Sequence, residues 1–240
     1  MIDNHPVVSH DAWIEARIRL LAREKAFTQL RDQLSAERRA LPWERVEKPY
    51  AFEGPDGRET LAELFAGRSQ LVVYHFMLGP DWEEGCKSCS FWADNYNGLD
   101  IHLAHRDVTL LAISSAPFAQ IEAFRRRMAW SFKWVSSAGC DFNRDYHVTF
   151  APDDLARGDI YYNYTRMKSS LTERPGISVF YKSPDEIVYH TYSTYSRGLD
   201  MINGAYHLLD LVPKGRDEAA LSSPMAWVRL HDSYEDRTTP

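Results

Sequence analysis

A short apolar run followed by two closely spaced cysteines limits what this chain can fold into. The run LVVYHFML extends from Leu71 to Leu78, and the stretch GPDWEEGCKSC that follows contains Cys86 and Cys89. A continuous run of this length, rich in β-formers, is typical of a strand that is buried on both faces. The residues from Cys89 to about Tyr96 fit the start of a helix. The sequence therefore predicts a strand-to-helix junction that carries both cysteines.

The segments that follow the cysteines continue an alternating α/β order. They are predicted as a buried strand at 108–114, a helix at 117–128, a short strand at 133–136, a hairpin at 176–182 and 186–195, and a helix at 197–211. A strand–helix–strand unit followed by an antiparallel hairpin and a closing helix is similar to the order of thioredoxin-like folds. We therefore predict an α/β protein with a thioredoxin-like three-layer α/β/α fold and a mixed central sheet.

The chain divides into three parts by its patterning. Residues 1–45 form a helical extension, residues 46–212 form the thioredoxin-like domain with an insertion at about 139–174, and residues 213–240 form a polar tail that we expect to be loosely held. Apolar residues at three- and four-residue steps predict one long amphipathic helix from about Ser9 to Arg39. Such a helix must bury its apolar side chains on the main domain or on a second copy of itself. A homodimer through this helix is therefore one of two alternatives.

Composition and charge exclude several classes of function. The formal net charge is -6, whereas binding to a nucleic-acid backbone needs a basic surface, so no nucleic-acid partner is expected. The longest apolar run is far shorter than the roughly 20 residues that cross a bilayer, and the start MIDNHPVVSHD lacks the regions of a signal peptide. Three cysteines are an odd number and do not suggest a secreted disulfide scaffold. A reducing cytoplasm and no membrane partner are the expectation.

The spacing of the cysteine pair fits thiol–disulfide chemistry. A thiol attacks only as its thiolate, and the free backbone N–H groups at a helix start stabilise that anion. Cys86 would occupy this position as the nucleophile, and Cys89 would lie one helical turn further on, where it could resolve a mixed disulfide. Lys87 favours the thiolate electrostatically. The acidic residues of the preceding DWEE segment oppose it, so a strongly acidic thiol is not expected.

Three further residues are candidates for a substrate groove. A thioredoxin-like order places a cis proline before the strand that faces the cysteines, and Pro175 stands immediately before the predicted strand at 176–182. The alternative is an ordinary trans proline, which base rates favour. Gly85, next to the first cysteine, would leave Cys86 open to a substrate, and Trp82 is the aromatic candidate for the groove wall.

Metal binding and inert packing are the alternatives to redox chemistry at the pair. A structural zinc site needs four ligands, and beyond the pair the chain offers Cys140 with several histidines as fourth ligands: His75, His102, His105 and His147. His75 lies inside a predicted buried strand, which favours a hydrogen-bonded core histidine. Cys140 could form a disulfide with a substrate or a partner chain, although a lone cysteine is more often inert. No glycine-rich nucleotide loop is present, so no cofactor is expected.

Long segments of the chain resemble the thioredoxin-like family catalogued as domain of unknown function 899. The resemblance is carried by AREKAFTQLRDQLSAERRALPW, GRSQLVVYHFMLGPDWEEGCKSCSFWAD, RMAWSFKWVSS with FNRDYHV, and YSTYSRGLDMINGAYHLLDLVPKGRDE. It implies a dithiol–disulfide oxidoreductase in which Cys86 and Cys89 are the family's CxxC pair. Protein or small-molecule disulfides would be the substrates, and the electron donor is not indicated. The WSFKWVSS segment is also similar to peroxiredoxin-like architecture, so a peroxidase and a redox-inert binding module stay open as alternatives.

Overall fold

A computed structural model describes residues 5–234, and its elements follow the predicted alternating order. The strands are β1 (Glu44–Arg45), β2 (Ala51–Gly54), β3 (Gly57–Thr60), β4 (Gln70–His75), β5 (Val108–Ser114), β6 (Lys133–Ser136), β7 (Ile160–Tyr162), β8 (Thr165–Met167), β9 (Gly176–Lys182) and β10 (Val188–Tyr195). The α-helices are α1 (His10–Arg39), α2 (Lys87–Ala93), α3 (Leu99–Ala104), α4 (Phe118–Arg127), α5 (Phe142–Asp145), α6 (Pro152–Arg157) and α7 (Gly204–Leu209). Two 3₁₀ helices cover Glu63–Phe65 and Ser196–Ile202. None of the helices described in residues 5–234 is long and apolar enough to cross a bilayer.

One mixed sheet organises the domain. Its strand order is β1-β10-β9-β4-β5-β6-β2-β3. Strands β4, β5 and β6 are parallel, β9 pairs antiparallel with β4, and β10 pairs antiparallel with β9. The central strand order β5-β4-β9-β10 is the thioredoxin arrangement. A helical crossover connects the parallel strands β4 and β5, and the β9–β10 hairpin pairs with the other edge of β4. The predicted thioredoxin-like fold with a mixed sheet is confirmed.

Side chains alternate between two cores along the central strands. On β4, Leu71 and Val73 face a core that the 3₁₀ helix Glu63–Phe65 and α5 cover, whereas Tyr74 faces a second core beneath α2, α4 and α7. This alternation follows from the period of two along a strand. Both faces of the sheet are apolar, which explains why β4 reads as an uninterrupted apolar run in the sequence. The cysteine pair belongs to the second core.

The predicted N-terminal helix forms, and it projects from the domain. Ser9 caps its start, because the Ser9 Oγ accepts a hydrogen bond from the backbone N–H of Ala12 at 3.3 Å. None of its 30 residues is buried. Near its end the Arg38 guanidinium lies 4.8 Å from the ring centroid of Tyr192 on β10. The helix therefore does not bury its apolar side chains on its own domain, and the homodimer remains a prediction.

The segment predicted as an insertion contributes no strand to the main sheet in the described structure. It contains α5, α6 and the two-stranded β7–β8 sheet. Val148, Phe150, Ile160 and Tyr162 form a small apolar cluster with Tyr195 of β10. This cluster attaches the segment to the edge of the domain. The exact domain boundaries stay predictions.

The carboxyl-terminal region differs from the expectation in two ways. The single helix predicted at 197–211 is divided into the 3₁₀ helix Ser196–Ile202 and α7, because Asn203 adopts an extended conformation and caps α7 with its side chain. The prediction that the tail is loosely held is wrong for residues 213–234. Val228 and Leu230 are buried, and Asp232 pairs with Arg127 of α4 at 2.8 Å. Residues 235–240 of the predicted tail lie outside the described residues.

Candidate active site at the Cys86–Cys89 pair

The loop between β4 and α2 fixes the position of the first cysteine. The backbone N–H of Cys86 donates to the Met77 carbonyl at 3.1 Å, which ties the end of the loop to its beginning. Cys86 is the residue immediately before α2, as predicted. Its carbonyl accepts from the backbone N–H of Ser90 at 2.9 Å and from the Ser90 Oγ at 3.0 Å. The backbone at Cys86 is therefore held from both sides, and its side chain is partly exposed.

The Cys86 sulfur is stabilised as a thiolate. The largest cause is the hydrogen bond from the Cys89 thiol, and the backbone N–H groups of Cys89 and Ser88 add to it. Burial opposes these bonds, but together they hold the pKa of Cys86 well below the ordinary value of 9.0. The main contributions come from neutral donors within the motif and not from charged neighbours such as Lys87. The thiol is consequently more acidic than the balance of nearby charges led us to expect.

The second cysteine has the opposite character. Cys89 is 2% exposed, and burial raises its pKa well above that of an ordinary thiol. The hydrogen bond that it donates to Cys86 raises the pKa further, since a thiol that gives up its proton loses that bond. Cys86 is thus the accessible anion and Cys89 the protonated, buried neighbour within reach of it. This is the polarity that a nucleophile and a resolving thiol require.

Of the three predicted groove residues, only Pro175 lines a pocket with a cysteine of the pair. Pro175 lines a pocket of about 220 Å³ with Cys89, Tyr74, Met77 and Trp92. Of the two alternatives for Pro175, the structure has the trans form, because residues 5–234 contain no cis peptide bond. Pro175 stands immediately before β9 and lines the same pocket as the second cysteine.

Gly85 does not open the site to a substrate, so that prediction is corrected. The residue is buried, and a Cβ placed on it would come within 2.5 Å of the Phe124 ring and 2.8 Å of the Phe76 ring. These rings belong to the core beneath α4 and cannot yield easily. Glycine is therefore required here because the loop passes directly over two aromatic side chains.

Trp82 lines a second cavity, which neither cysteine of the pair lines. This cleft has a volume of about 490 Å³, and its walls include Ser115, Cys140 and Glu173. Trp82 and Pro175 therefore line different cavities and not one groove, as the sequence analysis had grouped them. Cys140 is partly exposed in this cleft, apart from the pair.

Glu173 is a buried carboxyl that the sequence analysis missed. It is 2% exposed and accepts hydrogen bonds from the Ser115 Oγ at 2.6 Å and the Thr149 Oγ1 at 2.8 Å. Burial raises the pKa of Glu173 to about 7, although the two hydrogen bonds by themselves lower it. Nothing in the local sequence marks it, because the segment before Pro175 is polar and carries no periodic pattern.

His75 is confirmed as a core histidine. It is 1% exposed, and its ring nitrogens make hydrogen bonds with Asn143 Oδ1 at 3.3 Å and Ser178 Oγ at 2.9 Å. Burial lowers its pKa to about 4, so the ring is neutral at physiological pH. Within the described residues, no three histidine, cysteine or acidic side chains come together as a group that could hold a metal ion.

A second residue that the sequence analysis missed is Tyr74, whose hydroxyl lies beside Cys89. Tyr74 and Tyr96 are both buried, and their ring centroids are 5.2 Å apart. The alternation of side chains along β4 could have predicted that Tyr74 faces the helix with the cysteines. It shares a face of the strand with Val72, and that face is covered by α2, the helix that carries Cys89.

Comparisons with known proteins identify a family and several solved structures of low identity. The solved structures include peroxidoxin BcpB from Mycobacterium tuberculosis, which is 13% identical with a TM-score of 0.45 over 67% of this chain and 92% of that one. Peroxiredoxin Q from Xanthomonas campestris is 14% identical with a TM-score of 0.43 over 70% and 96%. A mitochondrial 1-Cys peroxiredoxin from yeast is 13% identical with a TM-score of 0.42 over 71% and 78%.

No protein with a curated description matches the chain significantly. The family model described as a bacterial protein of unknown function, DUF899, matches residues 2–234, which is nearly the whole length. The segments that suggested this family in the sequence lie throughout that match, and the thioredoxin-like order of its strands agrees with it. The chain belongs to the DUF899 family.

Proposed function

We propose that the protein is a thiol–disulfide oxidoreductase in which Cys86 is the nucleophile and Cys89 the resolving thiol. The observation that carries the proposal is the placement of the partly exposed Cys86 immediately before α2, with the buried Cys89 three residues further on in the same helix. The donors around Cys86 lower the pKa of its thiol, whereas burial raises the pKa of Cys89 and keeps that thiol protonated. Protein or small-molecule disulfides are the substrates in this proposal.

The reaction has two steps. In the first, the Cys86 thiolate attacks a substrate disulfide, a new sulfur–sulfur bond forms, and one substrate sulfur leaves as a thiolate. In the second, the Cys89 sulfur attacks Cys86, the Cys86–Cys89 disulfide closes, and the second substrate sulfur leaves. The substrate disulfide gains two electrons and the cysteine pair loses two. An external dithiol must then return the pair to its reduced form.

Replacing each cysteine separately tests the order of these steps. Cys86→Ser is expected to abolish turnover of a small disulfide, because the nucleophile is gone. Cys89→Ser is expected to accumulate mixed disulfides on Cys86, because the second step cannot occur. Turnover is measured with a coloured aromatic disulfide, and mixed disulfides are measured by intact mass. Full turnover in both variants would exclude the mechanism, and Cys140→Ser is the control that keeps turnover.

Peroxide reduction is a second candidate for the same thiolate. A partly exposed cysteine with a lowered pKa can also attack a peroxide, and Cys86 has both properties. The rates of reaction with peroxide and with disulfides distinguish the two functions. A peroxidase consumes peroxide through Cys86 much faster than a free thiol does, whereas an oxidoreductase prefers disulfides. A redox-inert binding module predicts ordinary, slow alkylation of both thiols instead.

A further inference from the structure

The proposed second step requires a charge to appear in an apolar place. Cys89 must lose its proton as it attacks Cys86, yet the side chain is 2% exposed and belongs to an apolar core. Burial alone makes that thiolate costly. A hydrogen-bond donor beside the Cys89 sulfur would lower the cost.

Tyr74 is in position to be that donor. Its hydroxyl lies next to Cys89, where it donates to the Cys89 carbonyl oxygen at 3.4 Å. This distance is long for an O–H···O bond, so the proton is weakly held by the carbonyl and can turn to the sulfur. The nearby Tyr74 hydroxyl opposes part of the rise in the pKa of Cys89 that burial causes. Tyr74 and Cys89 also line the same pocket.

The phenol itself cannot act as a base in this place. Tyr74 is 1% exposed, and burial raises its pKa well above 10.0. It therefore stays protonated and keeps a hydrogen to donate. A hydrogen bond to a charged sulfur is considerably stronger than one to a neutral thiol. The bond would thus favour the thiolate over the thiol.

We infer that Tyr74 is a catalytic residue that donates a hydrogen bond to the Cys89 sulfur as that sulfur becomes anionic and attacks the mixed disulfide on Cys86. The inference rests on the proposed thiol–disulfide exchange. In this step the Cys89–Cys86 bond forms, and the bond from Cys86 to the substrate sulfur breaks with its electron pair on the substrate. The proton of Cys89 passes to solvent or to the departing thiolate. Tyr74 keeps its own proton throughout.

The backbone N–H of Met77 also favours the Cys89 anion, and apart from it few other polar groups can act on the Cys89 sulfur. The titratable and charged groups that face it are Cys86, Tyr74, Tyr96, Tyr162 and, across the pocket, Arg197 and Asp200. Arg197 and Asp200 are paired with each other at 2.9 Å. Tyr96 has a buried hydroxyl with no hydrogen-bond partner among the described residues, and it supplies the matched control.

Stoichiometric reaction with 5,5′-dithiobis-(2-nitrobenzoate) separates the two thiols. In a Cys140→Ser background, the attack by Cys86 releases the first coloured thiolate, and the attack by Cys89 on the mixed disulfide releases the second. Tyr74→Phe is expected to leave the first phase unchanged and to slow the second by about tenfold or more. It should also move the pH midpoint of the second phase upward. Phenylalanine keeps the ring that packs against Phe76, so the fold is expected to persist, and thermal unfolding checks this.

Tyr96→Phe removes a neighbouring buried hydroxyl and is expected to change neither phase. An unchanged second phase in Tyr74→Phe would overturn the inference while the proposed exchange stands. Equal slowing in both variants would also overturn it, because a general packing effect would then explain the loss. If the parent protein releases no second thiolate at all, the proposed exchange itself is wrong, and the inference falls with it.

Discussion

At the scale of single residues, the two cysteines share one side-chain chemistry but differ in acidity. A single hydrogen bond contributes to both effects, since it stabilises the Cys86 anion and holds the proton on Cys89. The sequence predicts which cysteine stands at the helix start. It does not predict the acidity, because charged neighbours are visible in a sequence and the direction of a thiol hydrogen bond is not.

The environments of Gly85 and Glu173 could not be predicted from the sequence. A glycine beside a reactive cysteine can indicate open space or a close contact, and only the positions of Phe76 and Phe124 decide between them. Glu173 looks like an ordinary loop acid until its partners Ser115 and Thr149 are known. Both residues depend on contacts between distant parts of the chain, which periodicity and spacing do not record.

The raised pKa of Glu173 predicts a pH-dependent stability. The folded-state pKa is about 7, and the ordinary value is 4.5. Between these values the folded protein keeps a proton that the unfolded chain has lost, so the contribution is complete below pH 4.5 and is lost as the pH rises through 7. From pH 5 to pH 8, we expect the unfolding free energy of the parent protein to fall by about 2–3 kcal/mol relative to Glu173→Gln.

Urea unfolding of both proteins at the two pH values measures this difference. Glutamine cannot titrate and keeps an oxygen that accepts from Ser115 or Thr149, so shared pH effects cancel in the comparison. A constant difference between the two proteins across this range would contradict the raised pKa.

At the scale of elements, the central strands and helices could be read from the sequence, and the additions to them could not. The continuous apolar runs of β4 and β5 and the alternating pattern of the β9–β10 hairpin are local signals. In the sequence, the β2–β3 hairpin reads as a short apolar segment beside polar turn residues. It forms strands because β2 pairs with β3 on one side and with β6 on the other. The tail after α7 packs through Val228 and Leu230, and two apolar residues in a polar segment are too weak a signal to predict that contact.

The exposed helix α1 gives an element-scale prediction about assembly. Four large apolar side chains recur at seven-residue steps on it, Trp13, Leu20, Phe27 and Leu34, and each is about half exposed or more. A seven-residue apolar repeat favours pairing with another helix. We therefore expect the protein to form a homodimer through α1, and Phe27→Glu to weaken it.

Light scattering after gel filtration measures the mass against the 27.7 kDa of one chain. Ile18→Glu is the matched control, because Ile18 is similarly exposed on α1 but lies outside the seven-residue series. It is expected to leave the dimer intact. A single-chain mass for the parent protein, or equal loss of the dimer in both variants, would argue against this interface.

At the scale of the whole molecule, the fold brings the thiol pair, the start of β9 and the carboxyl-terminal region into one place. Pro175, Leu199 and Met225 come from three separate stretches of chain and meet around Cys89. The strand order predicted this meeting for Pro175, since β9 is the antiparallel neighbour of β4. It could not predict it for Met225, which reaches the pocket through turns without a repeating pattern.

The central claim is that Cys86 is an acidic nucleophile because Cys89 donates a hydrogen bond to it. The pH dependence of iodoacetamide alkylation at Cys86, followed by peptide mass in a Cys140→Ser background, tests this most directly. We expect a midpoint well below 9.0, the ordinary thiol pKa, and an upward shift of that midpoint in Cys89→Ala, where the donor is missing. A midpoint at the ordinary value, or one that Cys89→Ala leaves in place, would contradict the claim.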